Sequence, residues 1–315
     1  MGASGGALRR ARGVLLSPAA TAVPVPAVPG IAAGHRSWRR AVRTVSRDPT
    51  LLGGGICLGI VLALALVGPL VWREDPTLVN LGQTLKAPSW SHPMGTDAVG
   101  RDVFARFMAG ARASIFAGLA AVVAGATIGT TIGVVSGSIG GTFDAVMMRL
   151  ADVLLAFPPI VLAIAVAIAA GGGLSGAVYG VVLTSIPSYA RIIRSEVLRV
   201  RALAFNDAVR AAGGSRTRIL FRHVFPNSIT TLPIIASSNF TYAVLTLAAL
   251  SYIGLGVHPP NAEWGAMITD GQQYALTGEW WLVVFPGLGL LVLTISVGLL
   301  ADRLRDYLDP RGLPA

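Results

Sequence analysis

Few side chains in this 315-residue chain can ligate a metal or move a proton: four histidines, fifteen carboxylates and one cysteine, Cys57. Their spacing forms no reactive constellation. There is no GxxxxGK(S/T) segment to cradle a phosphate, no HExxH to hold zinc and no second cysteine for a disulfide. His35, His92, His223 and His258 are far apart in stretches that read as loops or tails, where solvation or capping is expected of them. The sequence predicts no catalytic residue, no metal site and no cofactor of its own.

The densest charge lies elsewhere. Segment 191–226 carries eight arginines: Arg191, Arg194, Arg199, Arg201, Arg210, Arg216, Arg218 and Arg222. Inside it, Phe205 to Ala212 fits a short helix, Gly213-Gly214 supplies a stop, and Ser215 is placed to cap a second helix running to Pro226. The small Ala208, Ala211 and Ala212 would let the short helix enter a narrow groove on a partner. An equally weighted reading lays both helices on anionic lipid through their arginines.

The elements around this segment are membrane spans. Hydrophobic residues make up 53% of the chain and charged residues only 13%, about half the charge of a soluble domain. Six apolar stretches approach the roughly 20 residues that a spanning helix needs: 51–72, 113–138, 145–170, 174–190, 231–256 and 280–300. The fold class expected is all-α, a polytopic bundle of six spans. In the third stretch Asp144, Arg149 and Asp152 make the early turns amphipathic, and Pro159 is expected to kink or break it. The fourth is short, with Pro187 interrupting it near its end. The second carries Gly125, Gly129, Gly133 and Gly137 at intervals of four, a bare face that lets a neighbouring backbone approach. Gly55 and Gly59 repeat the pattern more weakly on the first.

Orientation follows from the basic residues of the short loops. Residues 1–47 hold eight arginines and no acid, segment 191–226 holds eight more, and 257–279 holds none. Both termini and 191–226 are therefore assigned to the cytoplasm. The N-terminal stretch 1–47, with four scattered prolines, reads as a flexible basic tail. Its Val14-Leu15-Leu16 run, cut short by Pro18, is too brief for a secretory leader. The organisation expected is the tail, a first span with its outer loop over 48–112, a five-span core over 113–302, and a cytoplasmic end over 303–315. Aromatic residues are 7% and are not interleaved with the arginines, so nucleic acid is an unsuitable partner.

Neutral polar residues within the spans are candidates for a hydrophilic path: Ser237, Ser238, Asn239 and Thr241 on the fifth, Thr184 and Ser185 on the fourth. Hydrogen bonding between helices is the competing role for each. Asp97, Arg101 and Asp102 form a candidate cluster at the outer end of the second span, for docking, packing or a simple loop salt bridge. Trp264, Trp280 and Trp281 are expected at the outer membrane interface as an aromatic belt.

Four passages carry a family resemblance. Asp207-Ala208-Val209, followed by Gly213 and then by His223-Val224-Phe225-Pro226, resembles the EAA motif of binding-protein-dependent ABC importer permeases, with Asp, Val and His replacing the usual Glu, Ala and Ile. His92-Pro93-Met94-Gly95-Thr96-Asp97 through Arg101-Asp102-Val103, with Gly110-Ala111-Arg112-Ala113-Ser114, is similar to the stretch before the second span in C-type permeases of dipeptide and oligopeptide importers. Ser251-Tyr252-Ile253-Gly254-Leu255-Gly256 and Leu304-Arg305-Asp306 with Leu308-Asp309-Pro310-Arg311 extend the similarity over residues 40–312.

The resemblance implies a six-span subunit of the inner membrane, paired with a homologous B-type permease, two P-loop ATPase subunits that bind ATP and Mg, and an extracytoplasmic binding protein. It implies import of dipeptides or oligopeptides by alternating access. It also implies that Asp207, Ala208, Val209, Arg210, Gly213 and Pro226 belong to the coupling segment that docks on the ATPase. Nickel chelate, haem or another small solute are alternative cargoes of the same kind of importer. A stand-alone secondary transporter is disfavoured, because the spans after residue 170 lack the carboxylates that ion coupling uses.

Overall fold

A computed structural model describes residues 48–308; the basic tail 1–47, with His35, and the end from 309, with Arg311, lie outside them. Five helices are long and apolar enough to cross a membrane, and a bent pair makes a sixth if taken as one span.

Helix α1 (Pro49–Leu66) starts where Asp48 accepts from the amides of Thr50 and Leu51, with Pro49 in the first turn. A single turn, α2 (Gly68–Val71), leads into a long loop containing a 3-10 turn at Leu81–Gln83. The longest helix, α3 (Val103–Ile139), is capped when the Asp102 carboxylate accepts from Ala105 N at 2.7 Å. Its 37 residues rise about 55 Å, far more than the roughly 30 Å hydrocarbon core. It starts ten residues before the stretch that hydropathy picks out, because the early turns bury the charged Arg106 against protein.

The third predicted span is broken. Helix α4 (Gly141–Leu155) and α5 (Pro159–Ala169) meet at 95° across Ala156–Pro158, where proline cannot continue the α-helical ladder. Helix α6 (Gly173–Arg201) corrects the expectation for the fourth: Pro187 does not end it, and the helix runs 29 residues. Pro187 is buried, and packing by neighbours holds the backbone helical where a donor is missing. Residues 191–201, predicted as loop, are thus its last three turns.

Short helices α7 (Ala204–Ala211), α8 (Arg216–Ile219) and α9 (Phe225–Ser228) follow, the last two joined by a π-turn over Leu220–Val224. Helices α10 (Leu232–Tyr252), α11 (Trp264–Ala275) and α12 (Trp281–Leu308) complete the bundle.

The glycine face of α3 meets α6. A Cβ on Gly129 would lie 2.5 Å from Tyr189 Cβ, on Gly133 2.6 Å from the Ala190 carbonyl, and on Gly137 2.8 Å from Val197 Cγ1. No side chain fits there, so the two backbones are in contact. Gly55 and Gly59 form no such face among the described residues, where a Cβ on either would meet nothing within 4 Å; Gly54 is the glycine that packs, against Ser296 and Leu299 of α12. Cys57 is exposed on α1. At the start of α1, Asp48 pairs with Arg303 of α12 at 3.3 Å, which puts the beginning of the first span and the end of the last at one end of the bundle.

The tryptophans correct another expectation. Trp264 is fully buried and Trp281 nearly so, and only Trp280 is half exposed. The Trp264 indole donates to the Phe107 carbonyl at 3.0 Å and that of Trp281 to Thr96 O at 3.3 Å. They are packing anchors under the long loop before α3, because each indole N–H finds a backbone acceptor there.

Candidate functional site

Helix α7 is built with two unlike faces. Asn206 is 2% exposed and its side-chain amide donates to Val200 O at 2.6 Å, fastening the helix to the end of α6. Phe205 and Val209 pack on the cluster of Ile193, Val197, Val200, Ile219 and Val224. Phe205 also meets His223 edge to face, with centroids 5.9 Å apart. Asp207, Ala208, Arg210, Ala211 and Ala212 are exposed. Asp207 and Arg210 lie 3.6 Å apart on one turn and are mostly solvated, so the pair stabilises little and leaves both groups available to a partner.

The end of α7 is a full Schellman turn. Gly214 N donates to Val209 O and Gly213 N to Arg210 O, both at 3.0 Å, with Gly213 at φ +82°. Only glycine adopts that angle without strain. Ser215 then caps α8 by accepting from Arg218 N at 3.3 Å. The second helix does not stop at Pro226 as expected but passes it to Ser228. The wide turn before it, closed by Phe225 N to Leu220 O, absorbs the irregularity that proline imposes.

The outer cluster assembles differently from its sequence reading. Asp97 accepts from Arg101 Nε at 2.6 Å and lies 3.5 Å from Arg106 Nε, while Arg106 reaches Asp270 at 3.4 Å and donates to Pro260 O at 3.2 Å. Asp102 is not part of this network. It caps α3 and its second oxygen bonds His92 Nδ1 at 2.7 Å, with His92 Nε2 on Gln83 at 2.9 Å. The network borders a small cleft with Val103, Met267, Gly271 and Leu282. Burial raises the Asp270 carboxyl above its usual range, with Arg106 pulling the other way. Arg106 and Asp270 were not legible in sequence, since 164 positions separate them; the cap by Asp102 was missed, although an acid just before a helical run is a signal for one.

The neutral polar residues sit on α6 and α10. Thr184, Ser185, Ser237 and Ser238 each return a hydrogen bond to their own helix, to the carbonyls of Val181, Val182, Pro233 and Ile234. No bond between helices uses them among the described residues. Asn239 is half-buried, and the Thr241 hydroxyl is buried without a partner among those residues. From Pro159 to Ala190 and from Leu232 to Tyr252 there is no charged side chain.

The described residues thus form a bundle of long apolar helices, one pair of them bent at a break, with a short two-faced helix on the end of α6. The chain matches the family model of the binding-protein-dependent transport system inner membrane component over residues 129–312, and it belongs to that family. It is 37% identical over 264 residues to the probable D,D-dipeptide transport system permease of Escherichia coli K12, covering 84% of this chain and 88% of that one. It is 36% identical over 269 residues to a putative peptide transport system permease of Brucella abortus, covering 85% and 90%. To the dipeptide transport system permease of Alkalihalophilus pseudofirmus it is 35% identical over 274 residues, covering 87% and 90%. Among solved structures, the MetNI methionine ABC transporter in inward-facing conformations aligns with TM-score 0.52 at 17% identity, covering 64% of this chain and 96% of that one. That likeness concerns the fold.

Proposed function

We propose that this chain is one of two homologous membrane-spanning subunits of an ATP-driven importer for dipeptides or short oligopeptides. Separate P-loop ATPase subunits bind ATP and Mg, and an extracytoplasmic binding protein delivers the cargo. The observation that carries the reading is α7: a two-faced helix, bolted to α6 by Asn206 on one side and presenting Asp207, Ala208 and Arg210 on the other, ended by the turn at Gly213. Val209 and Pro226 act from beneath, Val209 by anchoring the helix and Pro226 by shaping the segment that returns to the bundle. A peptide cargo is supported by the names of the relatives and by the absence of fixed charge from Pro159–Ala190 and Leu232–Tyr252, which suits a substrate carrying charges of both signs.

Closure of the ATPase dimer displaces α7, and the subunit pair exchanges inward-facing for outward-facing states. The ATPase must bind the two states with different affinity for nucleotide to drive this exchange. Ser237, Ser238, Asn239, Thr241, Thr184 and Ser185 lie along the path. Both termini and α7 face the cytoplasm of the cell, a topology that the Asp48–Arg303 pair and the arginine count both support.

The test is purification of the chain with its native neighbours in mild detergent, with an Arg210→Cys variant cross-linked to co-purifying chains. Cross-linking to an ATPase subunit and ATP-dependent peptide uptake in proteoliposomes are expected. Transport by this chain alone, without an ATPase, would refute the reading.

A further inference from the structure

The glycine face of α3 lies against α6 on both sides of Pro187, but on the side of α4 and α5 helix α6 is gripped differently above and below that proline. Its first half packs on α5 through glycines, a Cβ on Gly176 falling 2.8 Å from Ala167 O and one on Gly180 2.5 Å from Ala163 O. Ala163 of α5 faces Gly180 and Asp152 of α4 pairs with Arg191, so the break at 156–158 falls between those two levels of α6, the stretch that holds Pro187. Below it α5 is gone and α4 takes over. Arg194 clasps Asp144 of α4 with two parallel bonds, Nε to Oδ1 and Nη2 to Oδ2, both at 2.5 Å.

Neighbouring pairs are poorer ties. Arg199 pairs with Glu196 of its own helix, and Arg191 with Asp152 where both side chains are 45% exposed. Asp144 is only 15% exposed and Arg194 31%, and a bidentate guanidinium–carboxylate pair fixes orientation as well as distance. Farther down, Arg201 donates to the Gly137 and Ser138 carbonyls at the end of α3, and Asn206 fastens α7.

We infer that Arg194 and Asp144 join α4 to the lower half of α6 and to α7 as one rigid body, which turns about a hinge line through Pro187 and the Ala156–Pro158 break. The inference rests on the docking role of α7 proposed above and adds the residues that carry its displacement into the membrane. Proline removes one rung of the α6 ladder, and Ala156–Pro158 interrupts the partner element beside the same stretch of α6. Movement of α7 therefore bends the bundle there instead of sliding α4 past α6. Arg194 and Asp144 are positioning residues, which touch neither cargo nor nucleotide.

The test uses the whole complex in a Cys57→Ser background with spin labels at exposed sites. One pair, Leu150→Cys with Leu198→Cys, lies within the lower body. The other, Leu150→Cys with Ile168→Cys, spans the hinge line. Between nucleotide-free and nucleotide-trapped states the first distance is expected to stay constant and the second to change. In that complex Asp144→Asn or Arg194→Gln lowers uptake per ATP hydrolysed by about fivefold, a scale set by coupling between contacting charges. Exchanging the pair, Asp144→Arg with Arg194→Asp, restores it. A first distance that moves with nucleotide, a second that does not, or unchanged uptake per ATP in both single variants overturns the inference. Failure of Arg210→Cys to cross-link to the ATPase would instead remove the docking reading beneath it, so the two failures are separable.

Discussion

Glu263 accepts a hydrogen bond from the Ser114 hydroxyl at 2.8 Å across 149 positions of sequence, and its other oxygen accepts from Ala266 N at 3.1 Å. One carboxylate, 1% exposed, thereby caps α11 and ties it to the upper third of α3. Glu263→Ala leaves the Ser114 hydroxyl proton and the Ala266 amide of α11 without their acceptor, and stability is expected to fall by about 2 kcal/mol. Glu263→Gln keeps one acceptor oxygen for the Ala266 amide and can turn its Nε2 donor to Ser114 Oγ, so it should cost less. Thermal unfolding in detergent, followed by loss of the buried Trp264 signal, reads the difference.

Gly213 ends α7 at φ +82° with open space around it, so a side chain there meets no atom and only the backbone angle is penalised. Gly213→Val is expected to strain the turn by about 1–2 kcal/mol and to uncouple transport from ATP hydrolysis while membrane insertion stays normal. Gly213→Asn, which tolerates the left-handed region better, should retain more activity. Normal uptake by the valine variant at normal abundance would exclude the turn from coupling.

Asp270 gives the outer cluster a pH dependence with a defined sign. Burial raises its carboxyl above the ordinary 3.8, so the folded protein holds that proton more tightly than the unfolded chain. Its contribution is full below 3.8 and is lost as pH rises through the folded value. Asp270→Asn is expected to flatten the decline in melting temperature over that interval relative to the wild type. Parallel slopes in the two proteins would remove Asp270 as the source.

Topology is checked by labelling. In a Cys57→Ser background, needed because Cys57 is exposed, Gln272→Cys on α11 is expected to react with an impermeant thiol reagent from outside intact cells. Ser215→Cys, between α7 and α8, is expected to react only after permeabilisation. The reversed pattern would invert the bundle in the membrane.

Local signals carried far. The break after α4 follows from Pro158-Pro159, the stop of α7 from Gly213-Gly214 and the cap of α8 from Ser215, since each depends on bonds within a few residues. Pro187 misled because a local rule about helix breaking was set aside by packing from the rest of the bundle. The tryptophans misled for a related reason: amphipathic rings near a span end suit either the lipid interface or a buried backbone acceptor, and only the path of the long loop before α3 chooses between them.

The amino-acid sequence by itself determined the membrane-spanning class, the glycine face of α3 and the stop at Gly213-Gly214 between α7 and α8, because hydropathy, helical periodicity and turn chemistry are written in short stretches of chain. Tertiary structure alone decided that Gly125 to Gly137 meet α6, that Arg106 joins Asp97 to Asp270, and that Arg194 clasps Asp144. Asp97 and Arg106 are near in the chain, but Arg194–Asp144 and Arg106–Asp270 join residues 50 and 164 positions apart. Such a distance in sequence is closed only when whole helices pack, and no local pattern encodes which charge will find which.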